Sequence, residues 1–270
     1  MRFMRIGISI LLLTGIVILC CAFIPTKQKN TPNNSNENDI ADLDALENVP
    51  TEYKYVLQDY KRILEERFSD NFFVEYEGGK KLTLNEKTQR DLEKDVTYWN
   101  GEKQKLGVHF YNMIIEMDSL LEEKGTPEAF GYILKDMNED SIEELFWVDK
   151  NHNILAIFTI KDGQAELLDA FWPRYRAVLN DNGNLYIWSS GGAAYTNREI
   201  KELVRNSTEF AWIEVFGIDG VDELNNLPIY FHAVDNKRKF INAQTYDELL
   251  QKYPFEHSVG WLNSPINFFE

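Results

Sequence analysis

Cysteine is nearly absent from this chain of 270 residues: Cys20 and Cys21 are the only two, and both lie in one N-terminal hydrophobic run. Nothing downstream of them can be stapled by a disulfide or built around a thiolate zinc site. Basic charge is scarce as well. Against 44 acidic side chains stand 28 basic ones, a formal net charge of −16. Such a surface repels phosphate backbones, so nucleic acid is excluded as the expected partner. Catalytic signatures are missing too. His109, His152, His232 and His257 form neither His-x-x-x-His nor His-Glu-x-x-His, and the chain has no Gly-x-Ser-x-Gly elbow and no P-loop. What the chain does have is apolar material, 44% hydrophobic and 13% aromatic, enough to build a core and to exclude global disorder.

The N-terminus carries the one segment with an address. Arg2 and Arg5 precede an uncharged run over 6–24. As a helix the run spans roughly 28 Å, close to the hydrocarbon thickness of a bilayer. Basic residues before the span place 1–5 in the cytoplasm and export the remainder. The run reads as an uncleaved signal anchor in the membrane. The alternatives are a cleaved signal peptide or a lipoprotein signal that lipidates Cys20 or Cys21, although Leu19 stands where a lipobox has a small residue. Residues 25–50 begin Asn-rich and polar and read as a flexible linker, with Ile40, Leu43 and Leu46 at the spacing of a short docking helix. The extracytoplasmic domain then covers 51–270.

Within that domain the first half has helical periodicity. Thr51 can cap a helix whose inner face is Tyr53, Val56, Leu57, Tyr60, Leu64 and Phe68. A short strand is expected over 71–76, a second helix over 86–99, and a third over 103–123 with Phe110, Met113, Ile114, Met117, Leu120 and Leu121 inward. The second half reads as strands at 130–134, 144–148, 154–160, 165–168, 175–179 and 184–189, separated by turns at 150–153, 161–163 and 180–183 that are rich in Asn and Gly. Turns this closely spaced specify an antiparallel meander. A short helix over 197–204, strands at 210–216 and 229–233, and a helix over 245–253 complete the reading. The fold class is α+β: N-terminal helices packed on an antiparallel β-meander, behind a single transmembrane or signal helix.

One loop has ligand chemistry. Asp136, Asn138, Asp140 and Glu144 place side-chain oxygens at positions 1, 3, 5 and 9 between two strands, and calcium takes six to eight oxygens. Ser141 and Trp147 stand where an EF-hand needs Gly and Glu, so this is not an EF-hand. Residues 128–195 resemble uncharacterised bacterial surface lipoproteins with an FG-GAP-like Asp-x-Asp-x-Asp-Gly-x-x-Glu-Leu loop. That resemblance implies a strand ending in the loop, the next beginning at Glu144-Leu145, and Ca2+ held by Asp136, Asn138, Asp140 and Glu144 with the Ile142 carbonyl. Glu139 and Ser141 replace the usual glycines. The alternative is a polar Asx-type turn in which Asp and Asn side chains bond backbone amides.

Other constellations are less specific. Trp147, Trp172, Trp188 and Trp212 suit either a sugar platform or a core. Glu143 with Glu144, and Glu256 with His257, suit acid–base pairs, and the small residues of 189–194 could bring amides to an anion. The expected function is a membrane-tethered, non-enzymatic binding or structural protein of the cell envelope. The alternative is an envelope-polymer hydrolase using carboxylates.

Overall fold

The computed structural model describes residues 48–66, 84–124, 129–192 and 194–269, with side chains for all of these but 65–66 and 118–124. The hydrophobic run over 6–24, the linker up to 47, the strand expected over 71–76 and Phe68 lie outside the described residues. No helix among the described residues is long and apolar enough to cross a membrane.

Three helices come first: α1 (Thr51–Glu66), α2 (Glu86–Leu92) and α3 (Leu106–Lys124). The apolar face read for α1 is buried through Tyr53, Val56, Leu57, Tyr60 and Leu64, and Ile63 joins it. In α3, Phe110, Met113, Ile114 and Met117 are buried as their spacing requires; Leu120 and Leu121 are among the side chains not described. The second helix is shorter than its periodicity suggested. It ends at Leu92, and Asp95–Thr97 (β1) pairs with Lys103–Lys105 (β2) as a hairpin. β-branched Val96 and Thr97 favour the extended chain, and Gly101, at φ +84°, supplies the left-handed turn residue.

Two antiparallel meanders follow. Sheet I has the order β13-β3-β4-β5-β6, with β3 (Phe130–Lys135), β4 (Glu144–Asp149), β5 (Ile154–Lys161), β6 (Gln164–Ala170) and the C-terminal β13 (Asn267–Phe268). Sheet II has the order β12-β11-β10-β9-β8-β7, with β7 (Tyr175–Leu179), β8 (Leu185–Gly192), β9 (Tyr195–Leu203), β10 (Phe210–Asp222), β11 (Leu227–Val234) and β12 (Lys237–Ile241). The segment expected as a helix over 197–204 is therefore strand β9, in the middle of a sheet and paired on both edges. Helix α4 (Ala243–Lys252) starts two residues before Thr245, because Asn242 is its cap and accepts the Thr245 amide at 2.8 Å. A short helix, α5 (Val259–Leu262), precedes β13.

Alternation along the strands makes the layers. In β4, Leu145 and Trp147 join the helices in one core, while Phe146 and Val148 join the other sheet. That second core runs through Ile133, Ile157 and Leu168 of sheet I and Ala177, Leu179, Leu185, Ile187 and Leu203 of sheet II. Helix α4 covers the outer face of sheet II, its Tyr246 packing with Ile200 and Phe216. The order is helices, sheet I, sheet II, helix. Strand β4 is buried along its whole length because both its faces are interior.

Candidate functional site

Several buried carboxylates in this fold hold backbone in place. Asp59 receives the Asn85 amide and the Thr88 hydroxyl, and Asp149 receives the amides of Asn151 and Asn153 in the β4–β5 turn. Four others gather at one place. His109 is 0% exposed, Asp169 2%, Glu199 1% and Lys201 2%. They come from α3, β6 and β9, and they sit where the β1–β2 hairpin approaches the edge of sheet I and the inner face of sheet II.

Asp169 Oδ1 accepts from His109 Nδ1 at 2.7 Å and from the Ala170 amide at 2.9 Å; its Oδ2 accepts from the Tyr175 hydroxyl at 2.9 Å. On the other edge of the imidazole, Nε2 lies 2.7 Å from the Tyr98 hydroxyl and 3.1 Å from Gln104 Oε1. The Tyr98 hydroxyl donates to Gln104 Oε1 at 2.5 Å. Burial, and then the Asp169 and Glu199 carboxylates, push the hydroxyl pKa values of Tyr98 and Tyr175 well up. Both remain donors at any ordinary pH.

Beside this chain lies an ion pair. Lys201 Nζ is 2.9 Å from Glu199 Oε2, which also receives Trp212 Nε1–H at 3.2 Å. Lys201 Nζ stands 5.3 Å from the Trp212 ring centroid, the strand register placing the two residues opposite each other. A groove of about 520 Å3 opens here, lined among others by Lys94, Glu166, Asp169, Lys201, Glu209 and Trp212. Removing one partner of so buried a pair would leave the other charge uncompensated, at a cost of about 3–5 kcal/mol.

The acidic loop stands elsewhere, between β3 and β4. Asp136 accepts the amides of Asp140 and Ser141, Asn138 accepts the Asp140 amide, and Asp140 accepts those of Ile142 and Asn206. Burial works to raise the Asp140 pKa, but these amides, the Asn138 side chain and Arg205 outweigh it and hold the carboxyl below its ordinary value. Glu139 and Ser141 adopt φ +58° and +73°. Both residues thus take the left-handed backbone that glycine adopts most readily. Gly183, at φ +76°, packs against the loop so closely that a Cβ would stand 1.7 Å from the Met137 carbonyl oxygen. Glu144 belongs to strand β4, fully buried, accepting from the Met137 amide at 2.9 Å and the Thr159 hydroxyl at 3.0 Å. Among the described residues no three His, Cys, Asp or Glu side chains gather as a metal ion would require.

The remaining candidates disperse. Glu143 is exposed while its neighbour Glu144 is buried. Trp147 stacks on Tyr60 in the helical core, with ring centroids 4.1 Å apart. Trp172 packs on His109, and Trp188 lies under Arg176 on the outer face of sheet II. Of the four tryptophans singled out, Trp212, 36% exposed, lines the groove. His152 Nε2 meets the Ser264 carbonyl at 3.0 Å, His232 meets Glu214, and His257 lines a second cavity. The cluster around His109 carried no motif: Asp169 lies 60 positions along the chain from it, and only the packing of α3 on sheet I joins them. No protein-family model, curated protein or solved structure matches this chain.

Proposed function

We propose that this chain is a membrane-tethered binding protein, anchored through residues 6–24 with the domain outside, and that the groove at Lys201 and Trp212 receives its ligand. The observation that carries this reading is Lys201, paired with Glu199 out of water, in the wall of a groove that a partly exposed indole also lines. An aromatic face flanked by carboxylates and ammonium groups suits a polyhydroxylated ligand, whose hydroxyls both donate and accept. Cell-envelope glycan is the ligand class that fits both the groove and the address.

A hydrolase reading would ask the carboxylate–imidazole–hydroxyl series of Asp169, His109 and Tyr98 to activate a nucleophile. The Tyr98 hydroxyl is held protonated by burial and then by the Asp169, Glu199 and Glu102 carboxylates, which makes it a donor rather than a base. The series therefore works as a brace that fixes the groove wall. The test is a titration of the full chain, in non-ionic detergent, with soluble envelope glycan fragments while tryptophan emission is followed. Saturable change that disappears in Trp212→Ala is the expected result. Emission that does not respond, or that responds equally in the variant, sinks the groove as the binding site.

A further inference from the structure

The outer face of sheet II carries a row of three directly opposed residues: Arg176 on β7, Trp188 on β8 and Arg198 on β9. Neighbouring strands lie about 4.8 Å apart, which sets the two arginine backbones about 10 Å apart with the indole between them. Phe255, from the segment after α4, closes over the row. The Arg176 guanidinium carbon is 4.6 Å from the Trp188 ring centroid and 5.7 Å from that of Phe255, and the Arg198 carbon is 5.6 Å from Phe255. Aromatic surfaces thus hold both cations. Among the described residues neither guanidinium has a hydrogen-bond acceptor or an acidic partner, in a chain with 44 acidic side chains.

Two further observations point to a ligand. Three buried side-chain polar atoms among the described residues lack any hydrogen-bond partner, and two of them are here: Arg198 Nε and Nδ1 of His257, two residues past Phe255. A cavity of about 440 Å3 also opens at this place, lined by Arg176, Phe255, His257 and Trp172 among others. Burial, then His152, lowers the His257 pKa to about 4, so at neutral pH the ring is uncharged and has one N–H to offer. Three carboxylates line the same cavity: Asp149, occupied by the turn amides of Asn151 and Asn153, and Glu116 and Glu256, so the anion itself is placed at the guanidinium groups and not among them.

We propose that Arg176 and Arg198 form an oxyanion-binding site, separate from the groove, for a ligand that carries a phosphate or carboxylate group and places its body in the cavity against Phe255 and His257. Guanidinium forks preset on aromatic faces match either oxyanion in two-point fashion and lose little freedom on binding. The net charge of −16 opposes anions at long range, so the attraction acts at contact, inside about one Debye length.

The experiment titrates the full chain in non-ionic detergent with pyrophosphate and, separately, with the tricarboxylate tricarballylate, reading heat and melting temperature. Saturable binding of at least one is expected, weakened about tenfold or more by Arg176→Gln. Arg176 is exposed, so that variant keeps its fold even if Arg198→Gln does not. Pyrophosphate alone assigns a phosphate ligand, tricarballylate alone a carboxylate, and both together an unselective oxyanion site. Trp212→Ala should leave this binding intact, which separates the site from the groove. No saturable binding of either anion, or equal affinity in Arg176→Gln, overturns the proposal.

Discussion

At the scale of single residues, Glu144 has the clearest consequence. Burial raises its pKa from 4.5 to about 7, against the Met137 amide and the Thr159 hydroxyl that favour the ion, and with Asp140 and Asp136 adding to the rise. In the unfolded chain the proton leaves near 4.5; in the folded chain it stays until about 7. Between these values the folded state holds a proton that the unfolded state has lost. The stabilisation is therefore complete below pH 4.5 and disappears as pH rises through 7, a difference of about 3 kcal/mol. Glu144→Gln keeps an acceptor for the Met137 amide without a proton to lose. In urea titrations it should match the parent at pH 5 and exceed it at pH 8 by about 2–3 kcal/mol. Parallel pH profiles for the two proteins would assign the dependence to another group, Asp59 and Asp91 being buried carboxyls raised in the same direction.

At the scale of elements, the strands bounded by Asn- and Gly-rich turns were legible because local and tertiary preferences agree there. Residues 154–160, for example, are mostly β-branched or aromatic and are followed by Asp162 and Gly163, at φ +51° and +71°. Strand β9 was not legible, for the reason that makes it interesting. The segment expected as a helix is charged at Glu199, Lys201 and Glu202, yet pairing on both sides holds it extended and buries Glu199 beside Lys201, which lines the groove. A charged residue at an interior strand position breaks the local pattern, and such breaks concentrate at sites. The acidic loop shows the opposite case. Its oxygens were readable, but their partners were not: backbone amides occupy both oxygens of Asp136, of Asp140 and the carbonyl of Asn138. A calcium titration should on this geometry give no saturable heat and no rise in melting temperature. Saturable binding that Asp136→Ala with Asp140→Ala abolishes would instead make Asp136, Asn138, Asp140 and Glu144 the calcium ligands that the FG-GAP-like resemblance implies.

At the scale of the whole molecule, the proposed anchor is what remains to be tested. The described residues begin at Asn48, and in the sequence the uncharged run over 6–24 stands before them, followed by a stretch with no large apolar residue over 25–38. The anchoring proposed above would bring a domain of the chain's acidic character to a membrane, where a net charge of −16 opposes adsorption on anionic headgroups. Two anchors would produce this arrangement, and they differ in chemistry. If the hydrophobic run itself is the anchor, the full chain expressed in a bacterium should sediment with membranes and resist extraction by alkaline carbonate. Protease added to spheroplasts should then release the domain by cutting the linker, and replacing Cys20 and Cys21 by Ser should change none of this. If lipid on Cys20 or Cys21 is the anchor, the chain should incorporate radiolabelled palmitate, and the double substitution should abolish both the label and the membrane association. Recovery of the unsubstituted chain in the soluble fraction would remove the tether and, with it, the argument that the groove faces an envelope ligand. The binding titrations would then have to start from soluble saccharides instead.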